Sequence, residues 1–291
     1  MARYTTRRPR CQRGVALLLV LWACTLLAIL LGGYAALART EGLQARYQFA
    51  QTQAHYAAEA GIMRGFFALH DPLRQLRWIG DGRTYTFRYD GATVRVSAVA
   101  EAGKVDLNAA SPDVLRNLFQ AAGQTPEQAR ALAGNVVDWR NLPGIAADVD
   151  AHRARYLAAG LDYGPRHGPF ASIEELQLVL GMTPALYRQV APAITIWSGN
   201  PMPDPNTAPP LALAAIPGMT PEREAAIHAA RGRNAGDPRL VLNNGTTDSI
   251  RSEATLADGT RAVMRATMRL QAGQAGAQPY AVLRWREGDE E

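Results

Sequence analysis

Two cysteines in 291 residues, Cys11 and Cys24, exclude a disulfide framework. Cys11 stands in a basic head and Cys24 in an apolar run, so everything after Ala38 must be held by a buried core or by bound ions. Signatures of catalysis are missing too. There is no Gly-x-Ser-x-Gly, no His-Glu-x-x-His, no Walker loop and no cysteine pair spaced for zinc. The five histidines, His55, His70, His152, His167 and His228, are scattered and read most simply as surface or packing residues. Trp139 and Trp285 read as core anchors. An enzyme is not expected.

A surplus of positive charge is also missing where it would matter. A pI of about 9.5 invites a nucleic-acid reading. Yet Arg3, Arg7, Arg8, Arg10 and Arg13 all lie in the head, and removing these five from 31 Lys and Arg leaves 26 against 26 acids. The rest of the chain is formally neutral. With 47% apolar and 20% charged residues it is globular, enough for one large or two small domains.

What is present is a long uncharged run. Val15 to Ala38 is 24 residues without a charge, which at about 1.5 Å of helical rise per residue spans a hydrocarbon core of about 30 Å. The head before it has no acid, so the positive-inside bias keeps the N-terminus in the cytoplasm and sends the remainder to the periplasm or exterior. Two readings fit this junction. One is an ordinary secretory signal with a small-residue site at Ala36-Leu37-Ala38, although such cores run about 7–15 residues and this one reaches Leu31 before its first glycine. The other rests on resemblance. A short basic leader ending in Gly14, followed at once by an apolar helix, resembles the class III leader of type IV pilins and pseudopilins. That resemblance implies cleavage between Gly14 and Val15 by a prepilin peptidase, then N-methylation of Val15. Most such proteins carry Glu as the fifth mature residue, whereas this chain has Leu19. The minor pseudopilin K family of the type II secretion system shares that departure.

After Arg39 the helical pattern continues. Leu43, Tyr47, Ala50, Ala54, Ala57, Ile62, Phe66 and Leu69 recur at helical spacing, which predicts one helix from Val15 to about His70, about 80 Å long. The alternative is two helices hinged at Gly32 and Gly33. Alternation then marks strands at Thr84–Tyr89 and Thr93–Val99, joined by Asp90-Gly91 as a two-residue hairpin turn. Ile250–Leu256 and Arg261–Leu270 are expected to form a second hairpin through Asp258-Gly259 by the same turn chemistry, and Tyr280–Trp285 a last strand.

Between the strands the sequence turns helical. Ser111-Pro112 and three Gly-x-Thr-Pro segments, at Gly123, Gly181 and Gly218, place a glycine turn, a cap and a first-turn proline. Ser172-Ile173-Glu174-Glu175 has the spacing of a capping box. Asn108–Pro112 leading to Gly123–Pro126 is echoed by Asn206–Pro210 leading to Gly218–Pro221, an internal repeat. This repeat resembles helix-hairpin-helix units that bind DNA, so a membrane-anchored or secreted DNA-binding protein is the rival reading. Arg223 is its nearest base and is flanked by Glu222 and Glu224.

Five motifs in order, Val105–Ala110, Val137–Arg140, Gly168–Leu176, Gly181-Met182 and Asn206–Pro209, resemble the helical insertion of the minor pseudopilin K family. The fold class expected is α+β: a long N-terminal transmembrane and amphipathic helix on an antiparallel, pilin-like sheet, with a large all-helical insertion between strands. The expected divisions are a leader over 1–14, a transmembrane helix over 15–38, amphipathic helix and first strands over 39–103, the helical insertion over 104–235 and returning strands over 236–291. The resemblance implies a minor pseudopilin at the tip of the secretion pseudopilus, assisting its initiation and the export of folded periplasmic proteins. It implies the minor pseudopilins I, J and H, the major pseudopilin, the prepilin peptidase and the bacterial inner membrane as partners. The protein would cross that membrane once, with its C-terminal domain in the periplasm and no nucleic acid bound. The processing residues would be Gly14 and Val15, and Leu19 would bear on assembly. Some family members bind calcium in the helical domain. Here Asp138, Asp148, Asp150 and Asp162 could supply oxygen ligands, or could equally be caps and surface charge, so the metal site is left unassigned.

Overall fold

The computed structural model describes residues 13–142, 146–234, 246–271 and 278–288. The leader expected over 1–14 therefore falls almost wholly outside them. The chain forms two compact units, residues 1–53 and residues 54–291.

Helix α1 (Arg13–Leu69) runs without a break through Gly32 and Gly33, so the two-helix alternative does not form. In the first unit its side chains from Val15 through Phe49 are exposed, with Val15 at 60% and Leu30 at 69%. Apolar surface of this extent needs lipid or protein against it. Its most apolar stretch is long enough to cross a bilayer.

In the second unit the remainder of α1 changes character. Ala57, Ala58, Ile62, Phe66 and Leu69 recur every one to four residues, line one face, and are buried. They pack on an antiparallel sheet of strands β1 (Asp81–Tyr89), β2 (Ala92–Ala100), β5 (Thr247–Thr255), β6 (Arg261–Leu270) and β7 (Tyr280–Glu287), ordered β1-β2-β5-β6-β7. Period-two alternation supplies the other half of this core: Val94, Val96 and Ala98 from β2, Ile250 and Ala254 from β5, Met264, Ala266 and Met268 from β6. Gly61 lets the helix approach closely, since a Cβ there would overlap Ser252 Oγ and come within 2.7 Å of Val94 Cγ1. We expect Gly61→Ala to lose about 1–2 kcal/mol net, because overpacking outweighs the better helix propensity of alanine. Urea unfolding followed by circular dichroism checks this, and an unchanged midpoint would mean that the helix has room to shift.

The first hairpin turns as its dipeptide dictates, with Asp90 (φ 46°) and Gly91 (φ 78°) both left-handed. The second does not use the same turn. Only Gly259 (φ 87°) is left-handed there, and Leu256 and Thr260 close a three-residue loop through Leu256 N–H donating to Thr260 O at 2.9 Å. The Asp258 carboxylate accepts from Thr260 N–H at 2.9 Å, which selects a turn followed by a left-handed glycine over the two-residue form.

Strands β2 and β5 pair with Ala100 opposite Asp248, so the chain leaves and re-enters the sheet at one place. The excursion between them holds α2 (Pro112–Ala121), α3 (Pro126–Arg140), α4 (Ala146–Ala158), α5 (Pro184–Val190), α6 (Pro210–Ala214) and α7 (Pro221–Asn234). It also holds one short parallel pair, β3 (Val105–Asp106) with β4 (Ile194–Thr195). Its core is separate from that of the sheet and draws on Leu107, Leu115, Phe119, Val136, Trp139, Tyr156, Leu176, Ile194 and Leu213. Ser111, Thr125 and Thr183 cap α2, α3 and α5 through their hydroxyls, and the Thr125 and Gln128 pair completes a capping box. Ser172 does not behave as its spacing predicts. The segment Ile173–Leu178 is a 3₁₀ helix that Ser172 does not cap, and Glu175 instead accepts from Ala171 N–H at 3.3 Å and from Arg166 at 2.6 Å. The arginine redirects the carboxylate away from the backbone of Ser172.

Candidate functional site

The segments singled out in the sequence converge around one buried turn. Asp106, almost fully buried, accepts from Asn108 N–H (2.8 Å) and Ala109 N–H (3.2 Å) through Oδ1, and from Gly199 N–H (2.7 Å) and the Ser198 hydroxyl (3.2 Å) through Oδ2. Four donors satisfy a carboxylate that would be costly to bury bare. Asn108 exchanges two hydrogen bonds with the backbone of Phe170, at 3.1 and 2.7 Å. Arg140 donates to Leu107 O and Ala110 O, both at 2.7 Å, and burial pushes its guanidinium pKa down against the opposing charge of Asp106. Gly168 N–H donates to Trp139 O at 3.0 Å, and the Trp139 ring lies beside those of Phe170 and Tyr156. Tyr156 hydroxyl accepts from Leu180 N–H, next to Gly181.

These motifs are a scaffold. Each residue type is needed because a long connection with little regular structure buries backbone groups that a side chain must satisfy. The repeat also reaches two residues further upstream than the sequence suggests. Asp204 Oδ1 accepts from Asn206 N–H at 2.9 Å just as Asp106 Oδ1 accepts from Asn108 N–H, and each carbonyl takes the amides three and four residues on. An Asp-x-Asn spacing was the available signal. The two repeats meet through α2 and α6, where Asn117 Nδ2 donates to Ala215 O at 3.3 Å.

A second cluster sits where the chain leaves the sheet. Asp248 is fully buried, 3.4 Å from His70 Nε2 at the end of α1, and Glu101, also buried, pairs with Lys104 Nζ at 2.7 Å. Burial first, and then the charge of Glu101, pushes the Asp248 carboxyl well above the usual carboxylate range. The folded state therefore holds a proton on Asp248 that the unfolded chain has lost, and stability falls as pH rises through the folded value. We expect Asp248→Asn to raise stability at neutral pH by about 1–2 kcal/mol. The gain should vanish below the unfolded carboxylate value, which thermal melts across pH would reveal; lower stability at neutral pH would instead make the pairing with His70 dominant.

Among the predicted site residues, Val15 and Leu19 are exposed on the apolar part of α1, at 60% and 63%, and Gly14 lies within the same helix. Asp138 pairs with Arg155 Nη2 at 2.7 Å, Asp162 is exposed, and the side chain of Asp148 lies outside the described part. Among the described residues no group of three or more His, Cys, Asp and Glu side chains could hold a metal. Two histidines that look scattered in sequence, His152 and His167, are neighbours, with ring centroids 5.4 Å apart.

Residues 95–199 match the family described as type II secretion system (T2SS), protein K. No curated protein matches the chain. Among solved structures, one chain of the GspK-GspI-GspJ complex from the enterotoxigenic Escherichia coli type 2 secretion system is similar, with a TM-score of 0.56 and 16% sequence identity. The likeness covers 85% of this chain and 100% of that one, and it shows a shared fold. Residues 95–199 take in the end of β2 and the whole network around Asp106, and it is this part of the chain that matches the type II secretion system protein K family.

Proposed function

We propose that this protein is a minor pseudopilin at the tip of the secretion pseudopilus, where it assists initiation and the export of folded periplasmic proteins across the outer membrane. The observation that carries the reading is the protein K domain, downstream of an exposed apolar helix long enough to span the inner membrane. Arginine in the head and no acid supports an N-terminus in the cytoplasm and a C-terminal domain in the periplasm. The similar chain comes from a complex whose other components are GspI and GspJ, which supports the minor pseudopilins I and J as direct partners. Minor pseudopilin H, the major pseudopilin and the prepilin peptidase complete the proposed set, with cleavage after Gly14 and methylation of Val15. The role is assembly, without catalysis.

Leu19 supports the position. A carboxylate in hydrocarbon is costly unless paired, and in related subunits the fifth-residue glutamate is taken to meet the N-terminal amine of a neighbour during assembly. A subunit with leucine there needs no amine from one already in the stack, so it can come first. Leu19→Glu should add nothing to secretion in a strain dependent on this subunit. Improved export on that change would refute the tip position.

The DNA reading has less support. In the first of the two repeat units the amide of Thr125 is taken by Gln128 Oε1 at 3.1 Å, and the amide of Gln128 by Thr125 Oγ1 at 3.3 Å. Glu127, Glu222 and Glu224 place negative charge in the first turns of α3 and α7, where phosphate would have to bind.

A further inference from the structure

His152, on α4, and His167, in the connection before the 3₁₀ helix, bring their imidazole rings to 5.4 Å between centroids with the planes inclined by 27°. Each ring turns one nitrogen toward an acceptor. His152 Nε2 lies 3.8 Å from Asp138 Oδ2, and His167 Nδ1 lies 3.3 Å from Asn141 O. In a neutral imidazole the nitrogen facing an acceptor carries the proton and the other keeps its lone pair. Those other nitrogens, Nδ1 of His152 and Nε2 of His167, are buried and meet no hydrogen-bond partner among the described residues. A buried lone pair left bare by the protein asks for a ligand.

We infer that His152 Nδ1 and His167 Nε2 are the protein ligands of a divalent transition-metal ion of the zinc class. Two imidazoles on one tetrahedral zinc, at Zn–N distances of about 2.0–2.1 Å, hold their centroids roughly 5 Å apart, which is the separation found here. Imidazole nitrogen suits zinc, copper and nickel, whereas calcium takes oxygen. The surroundings have the form of an outer shell. A carboxylate beside the far nitrogen of a liganding histidine helps to orient the ring; Asp138 stands 3.8 Å from His152 Nε2, beyond direct hydrogen-bond reach, and is itself held by Arg155 Nη2 at 2.7 Å. His167 keeps a left-handed backbone (φ 54°), uncommon for a residue with a side chain and worth a functional explanation. The His152 side chain is 21% exposed, which leaves an entry path. Two ligands leave coordination positions for water or for a donor from another subunit. The site stands on these residues alone and does not depend on the position of the protein in a pseudopilus.

The test uses the full chain in detergent, stripped with a chelator. Titration with zinc chloride by calorimetry, and with cobalt chloride by visible absorption, should give one ion per chain and a tetrahedral cobalt spectrum. Replacing His152 and His167 together by Gln should weaken zinc binding at least about a hundredfold, and Asp138→Asn about tenfold. His228→Gln and His55→Gln should leave it unchanged, and excess calcium chloride should not displace the zinc. Metal-free melting curves establish that each variant is folded. Failure of the wild-type chain to bind zinc or cobalt would overturn the inference. So would unchanged affinity in the folded double variant, equal loss in the His228 variant, or displacement by calcium.

Discussion

Replacing Gly14 by leucine is expected to leave uncut precursor in the inner membrane and to abolish the contribution of this subunit to secretion. The argument is steric and positional. The proposed peptidase meets a leader of five arginines and then a helix that begins with Val15, and glycine is the only residue at the junction without a side chain to hold the backbone away from the protease. Cutting there also removes Cys11 and the basic charge, leaving a neutral chain with Cys24 as its sole thiol. The mass and N-terminal sequence of the membrane-extracted protein check the expectation: Val15 first in the wild type, Met1 or Ala2 first in the variant. A chain beginning at Arg39 would mean that an ordinary secretory signal ends at Ala38.

Trp139→Ala is expected to cost about 3–5 kcal/mol, a large part of the stability of a domain this size. Trp139 is only 4% exposed, its ring lies beside Phe170 and Tyr156, and its carbonyl takes the Gly168 amide. Truncation leaves a cavity at the centre of the helical core. Because that core shares no residue with the one beneath the sheet, the loss should fall on the helical block first. Hydrogen exchange in the variant should rise over α2, α3 and the 3₁₀ helix while β2 and β5 stay protected. We further propose that the block can be lifted out: deleting Lys104 to about Ala235 with a short Gly/Ser bridge should leave a folded β-rich remainder. Glu174 pairs with Arg284 at 2.7 Å and Arg269 donates to Trp197 O at 2.9 Å, so the sheet would lose these edge contacts. Uniform loss of protection, or an unfolded remainder, would mean one cooperative core.

Much of this architecture can be read from local chemistry. Asp90-Gly91 forces its own turn, the Thr-Pro pairs start α3 and α5, and the alternation of Val94, Val96 and Ala98 declares which face of β2 is buried. Local rules fail where a distant group competes. Glu175 has the spacing to close a capping box, but Arg166, nine residues away, takes its carboxylate. Asp258-Gly259 looks like the first hairpin, but Asp258 binds the Thr260 amide and stays out of the left-handed region. The burial of Asp106 and Asp248 depends on partners up to 178 residues distant along the chain, as with His70 and Asp248, and no periodicity announces it. His152 and His167 look scattered for the same reason, since only the fold of α4 and the following loop brings their rings together.

Site-specific crosslinking of the head in living cells is the most direct test of the tip assignment. A full-length chain carrying a photo-crosslinker at exposed positions such as Leu157, Leu178 or Met202 should be captured by the minor pseudopilins I and J, with all contacts confined to one side of the head. Crosslinks to major subunits on opposite sides of the head would place this subunit within the shaft and contradict the account.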